Sequence, residues 1–395
     1  MALIPLEEPT TRRIPASTFS LFALAFRPFY LLAAMLAVVA IPLWVLAYLG
    51  VISTPIPGMW WHAHEMVFGF AAAVIVGFLF TAGRNWTGID TPSGWALGGL
   101  AALWLAGRLA MAFGTGWWVA VVDVAFLPVA AAALLHVLIK AKSWRNYFPG
   151  LVPLLLGGAN LLFHLAVNGA VAVEPLMGMH IALGLVVVLE IVIGGRVIPM
   201  FTFNSMRGIR QWRNARFDLI AALVSGLALM LWATGFTGWA GGVSLLAAVL
   251  QLARWGGWNP WATRSTPLLW ILHASYLWIP LGLALIAATQ WGLVAHSAGV
   301  HALAIGSTGG LIIGMMTRTS LGHTGRMLVA GRLEAFAYGL VQLAAVARVL
   351  TVAFIPAAAI GGIHLAATAW VLGFLLFLWR YTPFLLYARV DGRPG

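Results

Sequence analysis

Residues 61–88 read WHAHEMVFGFAAAVIVGFLFTAGRNWTG. Two histidines and a carboxylate fall within four positions, at the mouth of an apolar run that closes at Arg84. An apolar run of about 20 residues ended by a charge has the length of one helical crossing of a bilayer. The same pattern returns along the whole chain, and it decides the fold class.

Of the 395 residues, 62% are hydrophobic and 8% are charged. A water-soluble fold could not bury that much apolar surface, whereas a bilayer solvates it. The chain reads as an all-α membrane protein with a single membrane domain over 1–395. Apolar windows between charged or Pro/Gly breaks give about twelve helices. Their expected limits are 28–50, 61–83, 94–113, 117–140, 149–170, 176–203, 214–235, 238–254, 266–288, 295–317, 331–351 and 356–380. The sixth is long, with a tilt or a break expected near Pro199, and the eighth is short. Residues 1–19 read as a polar cytoplasmic segment. The apolar stretch after them is too long for a cleaved signal and is taken as the first membrane helix.

The net charge is +12, yet the basic residues form no nucleic-acid patch. They sit in alternate gaps between apolar runs: Arg12, Arg13 and Arg27; Arg84; Lys140, Lys142 and Arg145; Arg207, Arg210, Arg213 and Arg216. Arg254 and Arg264, then Arg318, Arg326 and Arg332, then Arg380, Arg389 and Arg393 continue the alternation. The other loops carry no Lys or Arg. Positive charge collects on the cytoplasmic side, so both termini are expected inside. Cysteine is absent, which removes disulfides, thiolate metal sites, iron–sulfur clusters and cysteine nucleophiles. Any metal must rest on His, Asp, Glu, Met or Tyr.

Helices two, six and ten resemble one another. His64, Gly69 and Gly77 repeat in spacing as His301, Gly306 and Gly314, and His180, Gly184 and Gly194 follow slightly out of register. Each run leaves the membrane near an arginine: Arg84, Arg196 and Arg318. Three four-helix units over about 20–145, 149–256 and 264–386 are therefore expected. At about 1.5 Å per residue, His62, His64, His164, His180, His296, His301 and His364 fall in one layer of the outer half. Ionisable groups in hydrocarbon are costly and mark a site or a pathway, and imidazole is the commonest metal ligand. His62 and His64 point about 200° apart and His296 and His301 about 140° apart, which suggests two neighbouring centres. Met59, Met66, Met177 and Met179 lie at the same level, and thioethers suit cuprous copper.

FRPFYLLAA at 26–34, the stretch from Trp61 and IGGRVIPMFTFN at 193–204 resemble the NnrS family of bacterial inner-membrane proteins over nearly the whole chain. The resemblance implies about twelve spans, bound haem (b-type) and copper, and a part in denitrification and nitrosative stress. A looser resemblance is to the catalytic subunits of haem-copper oxidases and nitric oxide reductases, whose ligands come from helices two, six and ten. Helix seven here lacks the further histidine pair of those enzymes.

On this reading, haem is expected between His64 and His301, with Arg108 and Arg348 facing its propionates. Asp123, at a depth similar to Arg108, offers that arginine a plain ion pair instead. His62, His180 and His296 are the copper candidates, with Met179 beside them. Glu65 and Glu190 are expected to carry protons or to anchor a ligand histidine. The expected function is a haem-copper oxidoreductase or binder acting on nitric oxide, with reductive coupling to nitrous oxide as one outcome. Its partners would be nitric oxide, the lipid bilayer and an electron donor that no motif identifies. The alternative is a transporter of a metal ion or small solute, which would be colourless when purified.

Overall fold

In a bilayer every backbone polar group must be satisfied within the chain, and helices do this locally. A computed structural model of the protein describes residues 14–393. Arg12, Arg13 and the rest of the expected N-terminal segment up to residue 13 lie outside the described residues. Among those described, the long helices in chain order are α1 Phe26–Tyr48, α2 Gly58–Thr87, α3 Gly94–Phe113 and α4 Trp117–Lys140. They continue with α5 Tyr147–Val167, α6 Pro175–Ser205, α7 Ala215–Ala233 and α8 Thr237–Gly257. The last four are α9 Pro267–Gln290, α10 His296–His323, α11 Arg332–Phe354 and α12 Ala359–Leu386.

Eleven of these are long and apolar enough to cross a membrane. The exception is α8, where Gly238, Gly241, Gly242, Gln251 and Arg254 dilute the apolar content. It nevertheless packs between α7 and α9. The sixth helix does not break: α6 runs through Pro199 for 31 residues. At 1.5 Å per residue that is about 46 Å, more than a hydrocarbon core of about 30 Å, so α6 tilts or projects. His323, which the charge pattern would leave in a loop, closes α10.

Helices adjacent in sequence pack on one another, and α12 packs back on α1 to close the bundle. Within it α2 and α10 are the most enclosed, with 78% and 72% of their apolar windows buried against 28% to 61% elsewhere. The two chain ends meet at one end of the bundle. Phe19 bridges Tyr387 in antiparallel fashion, and the Ser20 amide donates to the Leu386 carbonyl at 2.8 Å.

Arg27 holds this junction. Its buried guanidinium donates to the carbonyls of Phe384, Leu385 and Tyr387 at 3.2, 3.1 and 2.7 Å. These are the carbonyls that the end of α12 leaves without helical partners, and a cation there also opposes the helix dipole. That contact explains why α12 persists to Leu386, beyond the expected limit of 380. Charge-assisted hydrogen bonds contribute about 1.5–3 kcal/mol each. Arg27→Met is therefore expected to lower the unfolding temperature in detergent. Hydrogen exchange should speed up first at residues 384–388, and unchanged exchange there would show that α12 needs no such cap.

Candidate functional site

The histidines enter the bundle on two helices that share an unusual backbone. α2 is α-helical over Gly58–His64, widens to a π-helix over Glu65–Ala71, and returns to α-helix from Ala72. α10 does the same, α-helical over His296–His301, π over Ala302–Gly309 and α again from Gly310. In both, the wide turn begins on the residue after a histidine. Such turns are rare and gather at functional sites. Glycine permits them: a Cβ on Gly69 would strike the Leu36 side chain, and one on Gly306 would strike the Trp278 ring. The Gly69 carbonyl, inside the wide turn, accepts from Trp104 Nε1 at 3.1 Å.

His64 is fully buried and turned in among α2, α3, α4 and α5. Its Nδ1 faces Glu65 Oε1 at 3.1 Å. Its Nε2 faces Asp123 Oδ2 and Asn160 Oδ1, both at 3.0 Å. Asp123 Oδ2 also receives Asn160 Nδ2 at 2.7 Å and meets His164 Nε2 at 2.9 Å. Arg108 donates to Glu65 Oε1 at 2.7 Å and binds Asp123 through its other terminal nitrogen. Arg108 thus makes the ion pair that Asp123 offers it, and its two anions come from the protein itself.

This cluster holds two carboxylates against one guanidinium, so a further cation balances it. Neutral imidazole donates from one nitrogen only. With Nδ1–H on Glu65, the Nε2 lone pair of His64 faces two oxygens, a repulsion that a proton or a metal ion relieves. His64, Asp123 and His164 each offer one ligand atom, all within 4.8 Å of one another, and can hold a metal ion. In a tetrahedral site with bonds of about 2.0 Å, ligand atoms stand about 3.3 Å apart; Asp123 Oδ2 is 3.0 and 2.9 Å from the two imidazole nitrogens. The Glu65 contact on the far nitrogen of His64 is the arrangement by which carboxylates orient metal-bound imidazoles.

Sequence reasoning finds Asp123 only as a partner for Arg108 and misses its grouping with Asn160 and His164. One signal was available: Asn160 and His164 are four apart, hence on one face of α5.

His62, two residues before His64, points the other way. It stacks on Trp44 with ring centroids 4.2 Å apart and lies within electrostatic range of His301 and Arg348. Its Nδ1 is buried without a partner, as is Arg348 Nε. His301 places Nδ1 on the Ser297 carbonyl at 2.7 Å, which leaves Nε2 open. His62 is thus the histidine of this pair within electrostatic range of His301, while His64 is engaged by Glu65, Asp123 and Asn160.

A third group sits at the rim. His180 Nε2 and His296 Nε2 are 3.2 Å apart, and Trp232 flanks both rings at 4.6 and 5.8 Å. Met179 is buried in the apolar core, and Met59 is exposed. His364 and His136 face outward, while His273 is buried against Thr202 Oγ1 at 2.9 Å.

Glu190 lies deeper on α6, about 15 Å along the helix from His180, and accepts from Ser307 Oγ at 2.5 Å. It stands apart from the histidine groups.

Removing one partner of a buried ion pair leaves the other charge uncompensated, at a cost of about 3–5 kcal/mol. Arg108→Met is expected to lose that much stability in thermal unfolding, because Glu65 and Asp123 then stay buried without a guanidinium. Arg108→Met combined with Glu65→Gln and Asp123→Asn should recover most of it. A triple variant no more stable than Arg108→Met would show that the charge is not what holds these helices.

A comparison with curated proteins returns no match. The family model described as NnrS protein matches residues 20–389. With nearly its whole length covered, from before α1 to beyond α12, the chain belongs to the NnrS family.

Proposed function

We propose that the protein is a multi-pass haem-copper protein of the bacterial inner membrane that binds or processes nitric oxide. The family to which it belongs is linked to the nitric oxide response. The observation that carries the reading is the meeting of imidazoles from α2, α6 and α10 at one end of the bundle, with nitrogens left open.

Orientation follows from charge. The chain ends share one end of the bundle, which requires an even number of passes, so α8 serves as the twelfth. The arginine-bearing loops lie at that same end, and basic loops stay in the cytoplasm. The histidine layer then faces the periplasm. The matched π-turns after His64 and His301 support a common origin for the first and third four-helix units.

Haem is tested by what the residues offer. His62 has an unpartnered Nδ1, His301 is oriented by a backbone carbonyl, and Arg348 brings a guanidinium with an unpartnered Nε. One or two imidazoles and a cation suited to a propionate are what a b-type haem requires. Arg108 fits that role less well, since Glu65 and Asp123 already occupy it. His180 and His296 suit copper, and the buried His64, Asp123 and His164 group suits a further ion. When bound, reduced haem and copper supply coordination of the diatomic ligand and the electrons for any reduction. The chain orients its imidazoles through Ser297 and Glu65, and it walls the site with Trp44 and Trp232. Glu65, held by Arg108, acts as the anchor of His64.

Purified protein should be coloured, with an absorption band that shifts on reduction and on addition of nitric oxide. His62→Ala and His301→Ala should each remove most of that band, while His180→Ala with His296→Ala should lower bound copper and leave the band. Colourless, copper-free wild-type protein would overturn the reading in favour of transport.

A further inference from the structure

Between the inner halves of α2, α6 and α10 lies a chamber. Apolar side chains line it, among them Val74, Ile75, Val186, Ile193, Val197 and Ile312, and Tyr30 of α1 and Leu272 of α9 complete the wall. Glu190 is its one acid. A second space adjoins it and shares Phe78 and Met315 with it. Into that second, largely apolar space project the polar groups of Thr81, Asn85, Arg318, Thr319 and His323.

The mouth is cationic. Arg27, Arg84 and Arg389 all lie within electrostatic range of His323. Arg84 pairs with Asp90 and Arg389 with Asp391. Arg318 instead lies over the Phe201 ring, 3.8 Å from its centroid, and among the described residues no carboxylate pairs with it. An arginine in an apolar wall without an anion is costly unless a ligand supplies one.

An apolar chamber with a few polar groups at its ends has the usual lining of a small-molecule site. From Thr308 to Arg318 is about 15 Å along α10, which suits an extended acyl chain. The chamber is too apolar to hold water well, so it gains by taking apolar chain instead. We propose that this chamber binds an acyl amphiphile, with its acidic head on Arg318 and its hydrocarbon between α2, α6 and α10. The head is the carboxylate of a free fatty acid or the phosphate of a membrane phospholipid. This inference does not depend on the metal reading, since it uses none of the outer histidines.

Native mass spectrometry of the full, delipidated chain in detergent tests it, with palmitate and phosphatidylglycerol as separate probes. One stoichiometric adduct is expected, and which probe gives it identifies the source. Arg318→Gln should weaken the adduct at least tenfold, and Arg318→Lys should retain most of it. Ile193→Trp, or Val197→Phe where that variant folds poorly, should block it by filling the chamber. No adduct with either probe, or an adduct indifferent to both kinds of variant, would overturn the proposal. Loss of the haem band in Arg318→Gln would also overturn it, because the chamber would then hold the cofactor.

Discussion

The Asp123 carboxylate is the contact on which the histidine end of the molecule depends. It stands on α4, inside a bundle whose surroundings offer no water, and gathers Arg108 from α3, His64 from α2 and both Asn160 and His164 from α5. In hydrocarbon, apolar side chains gain nothing by choosing one helix over another, since lipid tails serve as well. Polar groups must find partners within the protein. One buried carboxylate therefore fixes the relative rotation of four helices more sharply than their many leucines do.

That rotation has a consequence for chemistry. Residues two apart on a helix face nearly opposite ways. Once Asp123 and Glu65 draw His64 in among α2–α5, His62 is turned toward His301 of α10 and Arg348 of α11. The two histidines of WHAHE thus serve different environments, one sealed in a charge cluster and one left with an open nitrogen.

Much of this was legible beforehand, for physical reasons that differ by level. The spans were legible because a bilayer demands long apolar runs, and their limits mostly held within a few residues. The exceptions were ends set by distant contacts, such as α12 extended by Arg27, and α10 running on to His323. The divergence of His62 from His64 was legible because 100° per residue is a property of any α-helix. Which histidine meets which was not. Matching spacings on helices two and ten suggest pairing His64 with His301, but pairing depends on how each helix is rotated about its axis, and Asp123 decides that from another helix. The π-turns were equally invisible, since Gly69 and Gly306 mark them only when Leu36 and Trp278 are known to press there.

The paired π-turns also bear on why the two ends of the bundle differ. A π-turn takes more residues than an α-turn, so the side chains beyond it are offset from the α-helical register. On α2 the turn separates His62 and His64 from Val74, Ile75 and Phe78, and on α10 it separates His301 from Leu311 and Met315. Each helix can therefore present imidazoles at one end and an apolar wall at the other, with the two faces set independently. The sixth helix has no such turn among the described residues and carries Glu190 at the level where the chamber begins. Glu190 and Ser307 close the chamber on the side of the histidines. The open imidazole nitrogens and the apolar chamber can then coexist in one bundle without sharing residues, which makes the two proposals separable by substitution.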